Sequence, residues 1–166
     1  MKNLLWTTFV LTFFVNIGIA QKYIGNYANF QIVNGTVYWQ VIYPCPSMTQ
    51  DSIVKMIISA TQKDPAFTLV KSDDKELIFR ITEKPLRDKG HIYAGTVVVE
   101  AKPGKYRVTF NEIKVKGADP QATLDKTKKY FDQGAYTSPK LEHLTKLNEQ
   151  FAIAFDFKNY SAAKDW

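Results

Sequence analysis

The chain has 166 residues, with 22 Lys and Arg against 16 Asp and Glu and a formal charge of +6. Hydrophobic residues at 45% and aromatic residues at 14% exclude a disordered tail and require a packed core. The positive excess is too diffuse to specify a polyanionic partner, and a single cysteine, Cys45, excludes an intrachain disulfide.

The first stretch, MKNLLWTTFVLTFFVNIGIA, has the layout of a secretory signal. Lys2 supplies the positive end, Leu4 to Val15 the apolar centre, and Gly18-Ile19-Ala20 a small-x-small cleavage site. The apolar run is too short for a comfortable membrane span. Gln21 follows, where a lipid anchor would need a cysteine. The expected organisation is a signal peptide over 1–20, an N-terminal lead-in over 21–35, one α+β domain over 36–158 and a tail over 159–166. The mature product is expected to be soluble, without a membrane span, and periplasmic or extracellular.

Residues 36–43, TVYWQVIY, are β-branched and aromatic and run into Pro44 and Pro46, which predicts a strand with a sharp stop. Ser47-Met48-Thr49-Gln50 reads as a capping box opening a helix. Ile53, Met56, Ile57 and Ala60 then recur at helical spacing, and Asp64-Pro65 ends the element. Strands follow over 66–71 and 75–83, separated by the turn residues Ser72-Asp73-Asp74. Next comes a hairpin over 95–117 turning at Pro103-Gly104. Its pairing sets Val97, Val99 and Ala101 against Phe110, Val108 and Tyr106 on one side. Thr96, Val98 and Glu100 meet Asn111, Thr109 and Arg107 on the other. A one-residue slip would mix apolar and polar faces, so the register is well specified. An L-Pro-Gly turn splays a two-residue hairpin, so a bulge is expected, kept near the tip.

Asp119-Pro120, Leu124, Phe131 and Gly134 suggest a short helix or an insertion within 116–137. Ser138-Pro139 opens a longer helix marked by Leu144, Leu147, Phe151 and Phe155, reaching residue 156. The order β-α-β-β-β-β-α implies an α+β fold, an antiparallel sheet with helices on one face and the other face solvated.

Val37-Tyr38-Trp39-Gln40-Val41-Ile42-Tyr43, the helix opening with Ser47, Tyr93 through Glu100, and Lys105-Tyr106-Arg107-Val108-Thr109-Phe110 together resemble a family of exported bacterial proteins. It is a domain-of-unknown-function family with a fold like that of the TATA-box-binding protein (TBP-like). The resemblance covers residues 35–117 best. It implies a fold and an export address, and supplies no catalytic residue and no cofactor.

The residues themselves offer little chemistry. His91 and His143 stand far apart with no carboxylate at ligand spacing, which reads as two ordinary histidines rather than a metal site. No Gly-x-Ser-x-Gly, phosphate loop or Cys-His pairing is present, and Cys45 reads as a small residue tucked at a strand end. Asp73, Asp74 and Glu76 cluster at a turn, and Glu100 and Glu112 lie on the hairpin. A small envelope hydrolase using such acidic residues is the alternative reading. The leading one is a non-catalytic binding or scaffolding domain of the bacterial envelope. Its candidate surface is the solvated sheet face bearing Tyr38, Gln40, Arg80, Thr82, Thr96, Arg107, Thr109 and Asn111. Such a face suits a peptide, a glycan or an anionic polymer. Nucleic acid is not expected, because the chain is exported and carries no dense basic stripe.

Cleavage after Ala20 gives an exported product beginning at Gln21. Mass spectrometry of the exported protein checks this, and an intact Met1 in that fraction contradicts it.

Overall fold

Alternation along the central strands decides which side of the sheet becomes core. In a computed structural model, which describes residues 23–24, 26–34, 36–85, 92–116, 136–137 and 141–159, ten elements follow in chain order. They are β1 (Tyr23–Ile24), β2 (Phe30–Val33), β3 (Thr36–Pro44), α1 (Gln50–Gln62), β4 (Phe67–Ser72) and β5 (Glu76–Pro85). Then come β6 (Ile92–Lys102), β7 (Lys105–Lys116), β8 (Tyr136–Thr137) and α2 (Leu141–Ala154). Strands β2 to β7 form one antiparallel sheet in the order β2-β3-β7-β6-β5-β4, while β1 pairs with β8 in a separate ribbon. The expected order β-α-β-β-β-β-α is therefore present from β3 to α2, with the short β8 as an extra element before the last helix.

Leu77, Phe79 and Ile81 of β5, Val97, Val99 and Ala101 of β6, and Tyr106, Val108 and Phe110 of β7 are all buried on one face. Ile53 and Ile57 of α1 and Leu144, Leu147 and Phe151 of α2 complete the same core. Phe151 sits at its centre. Its ring lies edge-on to Trp39 at 5.6 Å, Phe110 at 5.1 Å and Tyr93 at 5.4 Å between centroids, a favoured geometry for aromatic quadrupoles. The Trp39 indole N–H is satisfied by Asn148 Oδ1 at 3.0 Å. Burying this one face leaves the opposite side of the sheet uncovered by either helix.

Two tyrosines tie the sheet to the last turn of α2 and to the chain just beyond it. Tyr43 and Tyr106 stack at 4.9 Å, and Tyr43 donates to the Ala152 carbonyl at 2.7 Å. Tyr106 donates to the Phe155 carbonyl at 3.2 Å and accepts from the Phe157 amide at 2.9 Å. These bonds explain why α2 stops at Ala154 rather than residue 156. The chain leaves the helix so that both Phe155 and Phe157 enter the core, two residues apart. Burial pushes both phenols above their ordinary range, reinforced at each by the Asp156 carboxylate.

Several boundaries differ from expectation for physical reasons. Thr49, not Ser47, caps α1, its hydroxyl accepting from the Ser52 amide at 3.2 Å. Ser47 instead takes a left-handed turn at φ +70°. The third buried residue of α1 is Thr61, whose hydroxyl donates to the Ile57 carbonyl at 2.9 Å and so tolerates the core. Strand β2, placed in the lead-in by its sequence, pairs with β3 from Phe30↔Trp39 to Val33↔Thr36. Asn34 at φ +51° makes that turn. Within the 116–137 segment Lys116 ends β7 and Tyr136–Thr137 form β8; the short helix expected from Asp119 to Gly134 lies outside the described residues.

The β6–β7 register matches the sequence pattern, from Thr96↔Asn111 through Glu100↔Arg107 to Lys102↔Lys105. Pairing is regular up to the Pro103-Gly104 turn, where Gly104 at φ +78° supplies the left-handed residue. The tip is held by the loop before α1, with Cys45 N–H bonding the Gly104 carbonyl at 2.8 Å and Gly104 N–H bonding the Met48 carbonyl at 3.0 Å. The irregularity expected at the tip lies at the other end, beside Gly95.

Phe110→Ala should cost about 3–5 kcal/mol by opening a cavity beneath Phe151. Chemical denaturation measures it, and a loss below 1 kcal/mol, about one tenth of typical domain stability, contradicts the burial. The raised phenol pKa values add stability that is complete below about pH 10 and lost as pH rises through the folded values. Tyr106→Phe should therefore be less stable at neutral pH by about 1–3 kcal/mol, with the Phe157 amide unpaired. Its further loss above about pH 10 should be shallower than that of the wild type.

Candidate functional site

The open face carries every residue that alternation assigned to it. Tyr38, Gln40, Arg80, Thr82, Thr96, Arg107, Thr109 and Asn111 all have exposed or part-exposed side chains, opposite in parity to the buried set. The ladders arrange them in rows across the strands. One row runs Asn111, Thr96, Arg80 and Thr68; the next runs Gln40, Thr109, Val98 and Ile78; a third runs Ile42, Arg107, Glu100 and Glu76.

These residues are not equivalent once their partners are counted. Arg107 donates from Nε to Glu100 Oε2 at 2.7 Å, so its charge is engaged by the carboxylate opposite. Gln40 donates to the Thr109 hydroxyl at 2.9 Å. Tyr38 and Asn111 share the face but do not line its larger depression. Arg80, Thr82 and Thr96 do converge, with Glu112 and Lys114, around a groove of about 350 Å³ floored by Ile81, Ala94 and Gly95. A smaller hollow of about 150 Å³ sits near the hairpin tip between Ile42, Arg107 and the Lys102–Lys105 pair.

The groove arises from two bulges on either side of β6. On β7, Asn111 pairs with Thr96 and Lys114 with Ala94, so Glu112 and Ile113 together face the single residue Gly95. On β5, Ile81 pairs with Gly95 and Lys84 with Tyr93, leaving Thr82 and Glu83 opposite Ala94. Each extra residue bends its strand and strengthens the local twist. Gly95 permits the close approach, because a Cβ there would lie 2.6 Å from the Asn111 carbonyl oxygen and 2.7 Å from the Phe110 ring. The bulge turns Glu112 outward at φ +50°, where its carboxylate accepts from the Thr96 hydroxyl at 3.1 Å. Strict alternation would have put Glu112 inward and Ile113 outward. That conflict with their chemistry was the available signal for the bulge, and with it for Glu112 and Lys114 as groove residues.

The acidic clusters have structural partners. Asp73 accepts from the Lys75 and Glu76 amides at 3.0 and 2.7 Å, and Lys71 bridges Asp73 and Glu76 at 3.2 and 3.0 Å. The two amides, then Lys71, hold the Asp73 carboxyl below its ordinary range. Cys45 is buried, and burial pushes its thiol up despite the nearby Lys158 charge, the opposite of nucleophile activation. Among the described residues no group of three potential metal ligands occurs. No helix among them is long and apolar enough to cross a membrane.

No family model and no curated protein matches the sequence. Solved structures do share the fold. A DUF4468 family protein from Bacteroides ovatus is 16% identical, with a TM-score of 0.54 over 82% of this chain and 90% of that one. A TBP-like protein from Parabacteroides distasonis is 14% identical, with a TM-score of 0.53 over 76% of this chain and 94% of that one. The architecture is thus TBP-like, and at these identities the likeness speaks to fold alone.

Arg107→Gln should change stability by less than about 1 kcal/mol, since an exposed cross-strand pair contributes little. Gly95→Ala should cost about 1–3 kcal/mol through overpacking against Phe110 and the β7 backbone. Thermal denaturation of the two variants side by side checks the order, and equal losses contradict it.

Proposed function

We propose that the chain is an exported, non-catalytic binding domain of the bacterial envelope that engages its partner through the open face of the sheet. The observation that carries this reading is the groove beside Gly95. It is a concave feature on an otherwise open sheet, built from two bulges and lined by charged and hydroxyl side chains. Sites of this kind, concave with a few convergent polar groups, are where ligands are held. The signal-like first 20 residues support export, and the fold neighbours from Bacteroides ovatus and Parabacteroides distasonis are consistent with a bacterial source.

A hydrolase would need two carboxylates facing each other across a cleft, one of them held protonated by a water-poor setting. Asp73 and Glu76 are instead bound to Lys71, and Glu100 is bound to Arg107. Glu112 is the one carboxylate among the described side chains that line the groove. No second carboxylate among the described side chains is placed to work with it, so the binding reading is preferred.

The double reversal Arg80→Glu/Arg107→Glu should leave the thermal transition nearly unchanged and abolish capture of an anionic partner from envelope extract. Undiminished capture by a folded double variant overturns the proposal.

A further inference from the structure

We propose that the groove beside Gly95 is a binding site for a carboxylate-bearing sugar, an inference that rests on the open-face reading and gives it a ligand class. Arg80 and Lys114 supply the charge. Among the described residues neither side chain makes a hydrogen bond or ion pair, in contrast to Arg107, which Glu100 already engages. Two uncommitted cations on one concave surface favour an anion, and the arginine fork suits a carboxylate in particular.

Glu112 narrows the class. Its side chain accepts from Thr96 and still has acceptor capacity, and Thr82 adds a second hydroxyl to the rim. A donor-rich, acceptor-rich rim around two cations fits a molecule with one carboxylate and several hydroxyl groups. It disfavours a densely phosphorylated polymer, whose closely spaced charges would meet the Glu112 carboxylate. A peptide is disfavoured for a different reason. Extended peptides gain affinity by adding to a strand edge, but β5 and β6, which floor the groove, are paired on both sides there, and only β7 beyond Phe110 runs past the end of its β3 pairing. Recognition on the floor of this groove must come from side chains.

The backbone at Glu112 is a second, independent observation. A non-glycine residue at φ +50° within a strand is strained, and packing alone would be served as well by glycine. The bulge brings Ile113 into the core, but that explains the left-handed conformation and not the carboxylate placed on it. Outliers of this sort persist where the surrounding structure holds them in place, and they cluster at functional sites.

The test is a titration of the isotopically labelled exported protein with tri-galacturonic acid, followed by amide NMR, with neutral maltotriose as the control. The expected result is shifts confined to residues near 80–82, 94–96 and 111–114 with the acidic trimer and none with the neutral one. Arg80→Gln and Lys114→Gln should each weaken binding about tenfold, the loss of one charge-assisted hydrogen bond, and Lys55→Gln, at an exposed position of α1, should leave it unchanged. Glu112→Gly should weaken binding while holding or raising the melting temperature, since it relieves the strain. A merely structural Glu112 would instead lower the melting temperature. Equal binding of maltotriose, unaltered binding by Arg80→Gln, or the same shifts from trialanine would overturn the assignment. Shifts clustered at Arg107 would overturn this site while leaving the open-face reading standing. No shift anywhere on the face, together with full capture by the double reversal, would overturn both.

Discussion

Phe110 and Ile113 both lie in the core although only two residues separate them on one strand. A regular strand sends alternate side chains to opposite faces, so β7 must change step between them. It does so at Glu112, where two residues face the single Gly95. The rest of the molecule is organised about that step. It keeps the core continuous from Phe110 to Ile113, moves a carboxylate from the inner to the outer face, and bends the sheet where the groove forms. Gly95 is its necessary counterpart, because any side chain there would collide with the Phe110 ring and the β7 backbone.

The inner face is stabilised by aromatic packing rather than by covalent links. Trp39, Phe110 and Tyr93 converge on Phe151, and Phe67 meets Phe79, Phe155 and Phe157 within 6.3 Å. Polar atoms that enter this interior do so in pairs, as with Trp39 and Asn148 or Tyr106 and the 155–157 backbone, which avoids the penalty of an unsatisfied buried donor. Because α1, α2 and the segment after α2 all spend their apolar residues on one side, the other side is stabilised, among the described residues, by cross-strand contacts. Its ion pairs are shallow, and their value lies in specifying register and surface charge rather than in stability.

Much of this architecture was legible in the sequence. Alternation in TVYWQVIY, KELIFRITE and the two arms of the hairpin assigned both faces and the β6–β7 register, because a polar residue misplaced inward is too costly to be ambiguous. Three features escaped it. Strand β2 was announced by Asn34-Gly35, a hairpin turn pair, but FQIV is short and only Phe30 is fully buried, so its pattern is weak. The end of α2 depended on Tyr106, a residue from a distant strand, and local periodicity cannot register such a bond. The groove depended on bulges, which period-two reasoning assumes away; its only trace was Glu112 and Ile113 each falling on the wrong side. The candidate list therefore held Arg80, Thr82 and Thr96 but gave equal weight to Arg107, whose partner was visible, and left out Lys114.

The change of step at Glu112 is most directly measured by cysteine accessibility. In a background with Cys45 replaced by Ser, single cysteines at 111, 112 and 113 are exposed to a thiol reagent under native conditions. The bulged strand predicts fast labelling at 111 and 112 and protection at 113. Protection at 112 with fast labelling at 113 would mean an unbroken alternation, and would contradict both the bulge and the groove built on it.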